Sequence, residues 1–251
     1  MKPLIIIPTY NEIENIGPLT TQIFDTLKAS PYSAAEVLVV DDGSPDGTGG
    51  FVETLSKENP KIHVLHRAKK LGLGTAYVAG FGWGLKKGFD VLIEMDADFS
   101  HDPKYLPTML EVLGKNDVAI GSRYVPGGGT VNWGLGRKII SRGGSCYSRM
   151  ILGAPIRDFT GGFNGWHRRV LESVDLESLR SDGYSFQIEL KYRAFLRKFK
   201  IQEFPIIFED RKVGQSKMNR RIVVEALGRV WGFRLNAQKQ LERASGRLLG
   251  H

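Results

Sequence analysis

The sequence predicts an α/β fold built on one mostly parallel sheet, and three observations predict it. Short apolar, largely β-branched runs recur at residues 4–7, 37–40, 62–65, 90–95 and 118–121. Helical stretches alternate with these runs, and the connections are short. At 251 residues the chain has the length to bury the core of one such domain. In open sheets of this kind ligands bind outside the carboxyl ends of the strands. Those exits collect Tyr10, Glu12, Asp42, Asp96, Asp98 and Arg123 on one edge.

In chain order, residues 4–7 form the first strand, and Pro8, Thr9, Tyr10, Asn11 and Glu12 leave it toward a helix over 13–28. An aromatic ring and a carboxylate at a strand exit can hold a planar base, by stacking and by accepting from an exocyclic N–H; a turn with a helix cap accounts for the same residues. The second strand, 37–40, ends in Asp41, Asp42, Gly43 and Ser44, which is turn chemistry and also places Asp42 within reach of a ribose or base. A third strand follows at 62–65. The helix over 72–87 opens on a glycine-rich segment, but Tyr77 stands where a dinucleotide fingerprint needs its third glycine.

The fourth strand, 90–95, runs into Asp96, Ala97 and Asp98, and a helix follows over 103–113. Two carboxylates this close repel unless a cation lies between them and their ligand. A hard divalent ion, Mg²⁺ or Mn²⁺, suits such oxygens and completes its shell with water and substrate phosphates. The competing reading is a solvated turn with capping aspartates. The fifth strand, 118–121, ends in Ser122, Arg123 and Tyr124.

Residues 126–133 read as a mobile glycine-rich loop. Arg137, Lys138 and Arg142 then open a helix, with no acidic residue between Val125 and Ile156. That polarity suits a second anion, as it would a solvated basic face. Residues 157–163 are turn-rich, 184–196 read as a helix and 201–208 as a late strand. The basic loop from Arg211 to Lys217 can close over phosphates. Beyond it a helical face of Val223, Ala226, Leu227, Val230, Phe233 and Ala237 opposes Arg221, Glu225, Arg229, Asn236 and Arg243. This segment reads as a basic amphipathic tail over 218–251, either lying on an anionic membrane or packing on a domain that spans 1–217. For the part beyond Val230 the membrane is the expected side.

The net charge of +8 points to an anionic partner, and the single cysteine, Cys146, excludes a disulfide framework and favours a reducing compartment. The first residues lack the pattern of an export signal, and no run approaches the length needed to span a bilayer.

Taken together, Pro8 to Glu12, Asp41 to Ser44, Asp96-Ala97-Asp98, Gly121 to Tyr124 and Arg211 to Lys217 resemble the dolichyl-phosphate (polyprenyl-phosphate) mannosyltransferases, inverting family-2 glycosyltransferases with the GT-A, Rossmann-like fold. Residues 138–143, 158–161 and 183–187 extend the likeness, which runs from Leu4 to about Leu227. The resemblance implies transfer of mannose from GDP-mannose to a polyprenyl phosphate, with Mg²⁺ or Mn²⁺ as cofactor. It assigns the nucleoside to Pro8, Tyr10, Glu12, Val40 and Asp42, and ribose and diphosphate to Asp96, Ala97 and Asp98, with Asp98 the metal ligand. Arg123, Arg211 and Lys217 would meet donor phosphates or sugar; Asp96 and Asp98 complete that catalytic set. Arg137, Lys138, Ser141 and Arg142 would receive the lipid phosphate. Some relatives place a glutamine ligand where this chain has Ser100. Many continue into membrane-spanning helices, which this chain lacks. The implied setting is peripheral, on the cytoplasmic side of a membrane, with a small membrane-anchoring subunit as a further partner and no nucleic acid. A branch using UDP-glucose shares most of these motifs. Two rivals from other classes are an Asp-x-Asp phosphatase and a non-enzymatic binder of anionic surfaces. A phosphatase would carry its motif on the first strand, whereas here it follows the fourth, and a pure binder leaves the acidic strand exits unexplained.

Overall fold

The alternation of side chains along the first strand, β1 (Pro3–Thr9), divides the core in two. Leu4 and Ile6 join one cluster and Ile5 and Ile7 the other, all fully buried. The same split recurs in β2 (Glu36–Asp41) and β4 (Val91–Glu94), so the sheet is covered on both faces. The computed structural model describes residues 1–179, 183–209 and 220–237.

One face is covered by α1 (Ile13–Leu27), α2 (Thr48–Glu58) and α4 (Leu106–Leu113), the last entered through a 3₁₀ turn at Pro103–Tyr105. In α1, Ile16, Leu19, Ile23 and Leu27 recur at helical spacing and are all buried. The other face carries α3 (Leu73–Lys86), α6 (Arg168–Ser173) and α7 (Gly183–Leu196). Gly80 and Gly84 let α3 lie close on the strands, since a Cβ there would stand 2.6 Å from Ile6 and 2.5 Å from Leu92.

Adding β3 (Ile62–His66), β5 (Val118–Ser122), β7 (Asn164–His167) and β8 (Ile201–Pro205), the sheet runs β3-β2-β1-β4-β7-β5-β8. Every pairing is parallel except those of β7, which runs against both β4 and β5. The exits of β2, β1 and β4 are therefore neighbours, and the exit of β5 is one reversed strand away.

Three expectations need correction. The segment expected to be a mobile loop over 126–133 contains β6 (Gly129–Val131), which pairs in parallel with β9 (Ile207–Glu209) as a separate small sheet. The strand expected over 201–208 is accordingly two strands in two sheets, divided after Pro205, whose ring removes a ladder donor. The tail was expected to face the membrane beyond Val230. In its described part α8 (Arg220–Leu235) packs against α7 and α5 (Leu135–Leu152), with Val230 and Phe233 buried and Ala237 against the same core, while Trp231 and Leu235 stay exposed and residues 238–251 lie outside the described residues. Three further elements, α2, α6 and β7, have no counterpart in the sequence pattern. Among the described residues no helix is long and apolar enough to cross a membrane.

Candidate active site

The loops leaving β1 and β2 are tied to each other before they meet any ligand. Asp41 accepts from Thr9 Oγ1 at 3.0 Å and from Ser44 Oγ at 2.5 Å, while Ser44 Oγ accepts the Asn11 backbone N–H at 3.0 Å. Thr48 Oγ1 accepts the Glu12 N–H at 3.0 Å. Asp41 is thus the brace of this corner, and Asp42 turns to a different partner. Asp42 is buried and lies 2.9 Å from Arg67 Nη1, an ion pair whose atoms miss hydrogen-bonding geometry. Burial raises the Asp42 carboxyl above its ordinary range, with Arg67 opposing. Tyr10 stands half-buried with Lys70 Nζ 3.9 Å over its ring, and Glu12 accepts from Asn15 at 2.8 Å. Pro8 is half-buried and Val40 fully buried in the adjacent strands.

At the exit of β4 the two aspartates are held differently. The Asp96 backbone N–H donates to His101 Nδ1 at 3.0 Å, and its carboxylate accepts from Tyr77 O–H at 3.2 Å while staying 34% exposed. His101 is buried, and burial pushes its imidazole below the usual range against the pull of Asp96, so it is neutral with the proton on Nε2. Asp98 Oδ1 accepts from both the N–H and the hydroxyl of Ser100, at 3.1 and 2.5 Å. Ser100 therefore orients Asp98. Phe99 between them has φ of 61°, the left-handed value that lets the turn close so tightly.

Among the described residues no three His, Cys, Asp or Glu side chains are arranged to hold a metal ion. The donors present, two half-exposed carboxylates on one turn, fit a hard ion that shares its shell with water and a diphosphate. They do not form an all-protein cage.

The exit of β5 has another character. Arg123 is buried and clasps Asp158 through Nε at 2.8 Å and Nη2 at 2.7 Å, and Nη2 also reaches Thr160 Oγ1 at 2.9 Å. Burial alone would raise the Asp158 carboxyl, but Arg123 overcomes it and holds Asp158 at about 2. Lys191 Nζ, also buried, donates to the carbonyls of Asp158, Phe159 and Gly161. The guanidinium of Arg123, expected at donor phosphates or sugar, is thus engaged by this turn.

The basic residues of α5 separate likewise. Lys138 and Arg142 are exposed, Arg137 is half-buried with its guanidinium 4.0 Å over the Trp133 ring, and Ser141 is buried. Ser141, expected at the lipid phosphate, accepts from Tyr124 O–H at 2.7 Å and sits beside Thr160, so it anchors the helix to the β5 exit. Arg211 and Lys217 lie outside the described residues. The site residues that sequence reasoning left without a role are Tyr77, His101, Trp133, Asp158, Thr160, Lys191 and Phe208. Of these only His101, which closes the acidic turn, and Asp158 and Thr160, in a quoted motif, carried any signal.

The profile described as glycosyl transferase family 2 matches residues 4–175. An undecaprenyl-phosphate mannosyltransferase from Micrococcus luteus is 49% identical over 235 residues, covering 93% of this chain and 95% of that one. A polyprenol monophosphomannose synthase from Mycolicibacterium smegmatis is 46% identical over 249 residues, covering 98% and 91%. Among solved structures, glucosyl-3-phosphoglycerate synthase from Mycobacterium tuberculosis with UDP aligns at a TM-score of 0.64 and 18% identity, over 92% of this chain and 80% of that one. Its complex with Mn²⁺, UDP and glucosyl-3-phosphoglycerate aligns at 0.60 and 18% identity, over 97% and 80%.

Proposed function

The chain belongs to glycosyl transferase family 2, and on that premise we propose that it transfers mannose from GDP-mannose to a polyprenyl phosphate at a membrane surface. The reaction follows the two mannosyltransferase relatives, which align over nearly the whole chain. The observation that carries the lipid acceptor is the inverted amphipathicity of α5. Its domain-facing stripe is Ser141, Ser145 and Ser148, with a leucine only at its last position, Leu152, all buried, while Leu135, Ile139 and Met150 are 78%, 70% and 69% exposed. A helix that turns serines inward and leucine, isoleucine and methionine outward is built for an apolar surround on its outer side. Lys138, Arg142 and Arg149 border that stripe and suit anionic headgroups. Trp231 and Leu235 of the neighbouring α8, 50% and 77% exposed, extend the apolar surface. The peripheral, cytoplasmic-side placement follows this reading.

The nucleophile is an oxygen of the lipid phosphate, anionic at neutral pH, so no general base is required. It forms the new bond to the anomeric carbon as the bond to the diphosphate breaks, with inversion. Catalysis then rests on positioning and charge neutralisation. Arg137, Lys138 and Arg142 align the acceptor, and the charges of Arg211 and Lys217 would neutralise the leaving diphosphate. Asp98, oriented by Ser100 and supported by Asp96, would hold Mg²⁺ or Mn²⁺. That ion would supply Lewis-acid neutralisation of the diphosphate. The Mycobacterium tuberculosis synthase, which shares the fold, has solved complexes that contain Mn²⁺ or Mg²⁺, in keeping with a divalent ion.

Tyr10, Glu12 and Asp42 form the base pocket. Guanine offers N1–H and a 2-amino group to two acceptors, whereas uracil offers only N3–H. Competition binding tests the donor: GDP displaces a labelled donor far better than UDP, and Glu12→Gln erodes the preference. Equal competition by UDP would replace GDP-mannose with UDP-glucose as the donor.

A further inference from the structure

An unbroken run of ring contacts joins the acceptor helix to the acidic turn. The Arg137 guanidinium lies 4.0 Å over the Trp133 ring. Trp133 meets Phe208 edge to face at 5.3 Å and 78°. Phe208 in turn meets His101 at 5.5 Å and 79°. His101 Nδ1 accepts the backbone N–H of Asp96 at 3.0 Å. Three separate segments contribute, and the pairing of β6 with β9 is what brings Trp133 and Phe208 together. Arg123 completes the bracket, with its guanidinium 5.4 Å from the Trp133 ring and 5.6 Å from that of Phe208.

We propose that Trp133 and Phe208 are positioning residues that fix Arg137, and through it the acceptor phosphate, at a set distance from the Asp96–Asp98 turn. An arginine at the start of a surface helix samples many rotamers. Stacking on a 6%-exposed tryptophan removes most of them. Edge-to-face rings have few internal degrees of freedom, so the stack carries the position of the acidic turn to the guanidinium without a flexible link. In-line attack needs that spacing held to within a fraction of an ångström, and small misplacements cost rate steeply. The inference rests on Arg137 serving the acceptor and the acidic turn serving the donor.

The test uses the full chain with GDP-mannose, a polyprenyl phosphate and Mn²⁺. Trp133→Leu should raise the acceptor KM and lower kcat by about tenfold or more together, while the Kd for GDP moves less than about twofold. Trp133→Phe, which keeps a stacking face, should recover most of the loss. Trp133→Leu combined with Arg137→Lys should cost less than the product of the two single effects, because both remove one contact. An unchanged acceptor KM in Trp133→Leu overturns the proposal. So does equal loss of GDP affinity and of melting temperature in Trp133→Leu and Phe208→Leu with no rescue by Trp133→Phe, the pattern of a purely structural role. Absence of transfer by the unaltered protein would instead strike the functional reading, and is told apart by that control.

Discussion

The exits of β4 and β5 both present charged residues at the same edge of one sheet, yet the protein uses the two charges in opposite ways. Asp96 keeps its carboxylate 34% exposed, and Asp98 is oriented by a neighbour two residues away. The Arg123 and Asp158 side chains, 4% and 0% exposed, are spent on each other across 35 residues of chain. One exit leaves its carboxylate partly exposed, where we propose that a ligand binds, and the other turns charge into architecture. A charged residue at a strand exit is therefore evidence of a site only after its partner is known.

Four measurements would break or sharpen that contrast. The largest effect is expected at the sealed exit. Arg123→Met leaves Asp158 buried without its cation and should destabilise the fold by about 3–5 kcal/mol, read as a shifted denaturant midpoint. If Arg123→Met melts normally and loses only activity, the division between the exits fails. At the open exit, Asp98→Asn should lower turnover by about 10²-fold or more while leaving the melt unchanged. A stable variant with near-normal turnover would remove Asp98 from the chemistry.

The acceptor helix offers a third comparison. Leu135→Ser with Ile139→Ser should weaken binding to anionic vesicles by about tenfold or more, since each apolar side chain is worth about 1.5–3 kcal/mol when buried. GDP binding should be unaffected, and undiminished vesicle binding would argue that the outward stripe faces something other than lipid. The smallest effect is expected from acid. Asp158 titrates at about 2 in the folded state against an ordinary 3.8. A depressed carboxyl contributes stability above its unfolded value and loses it as pH falls through the folded one. On the order of 2 kcal/mol should therefore disappear between about pH 4 and pH 2, and Asp158→Asn should flatten that slope.

Much of the donor half is legible in the sequence because its strands are apolar and β-branched and end abruptly in polar turns. Ile5, Val39 and Ile93 announce buried strands without help from the rest of the chain. β7 does not, since Asn164, Gly165, Trp166 and His167 carry little strand propensity and form a strand through pairing with β4 and β5. The first turn of α2 holds Gly49 and Gly50, which conceals a helix. The carboxylates of the acidic turn were visible because strand exits are where an open sheet binds ligands. The fate of Arg123 was not, because its partner enters by a turn on another segment. The same holds for Trp133, whose role depends on a pairing between β6 and β9 that local pattern does not encode.

The reversed strand β7 has one more consequence. Because it runs against both neighbours, the end it presents at the site is its beginning, and the turn that holds Asp158, Thr160 and Gly161 enters there between the exits of β4 and β5. Two strand spacings, about 10 Å, are thereby set aside as a slot filled by that turn. Arg123 and Lys191 hold that turn from either side, so a change in it is felt at both exits. In mechanical terms, the sheet fixes where the two exits stand and the inserted turn is the wedge that locks them at that spacing.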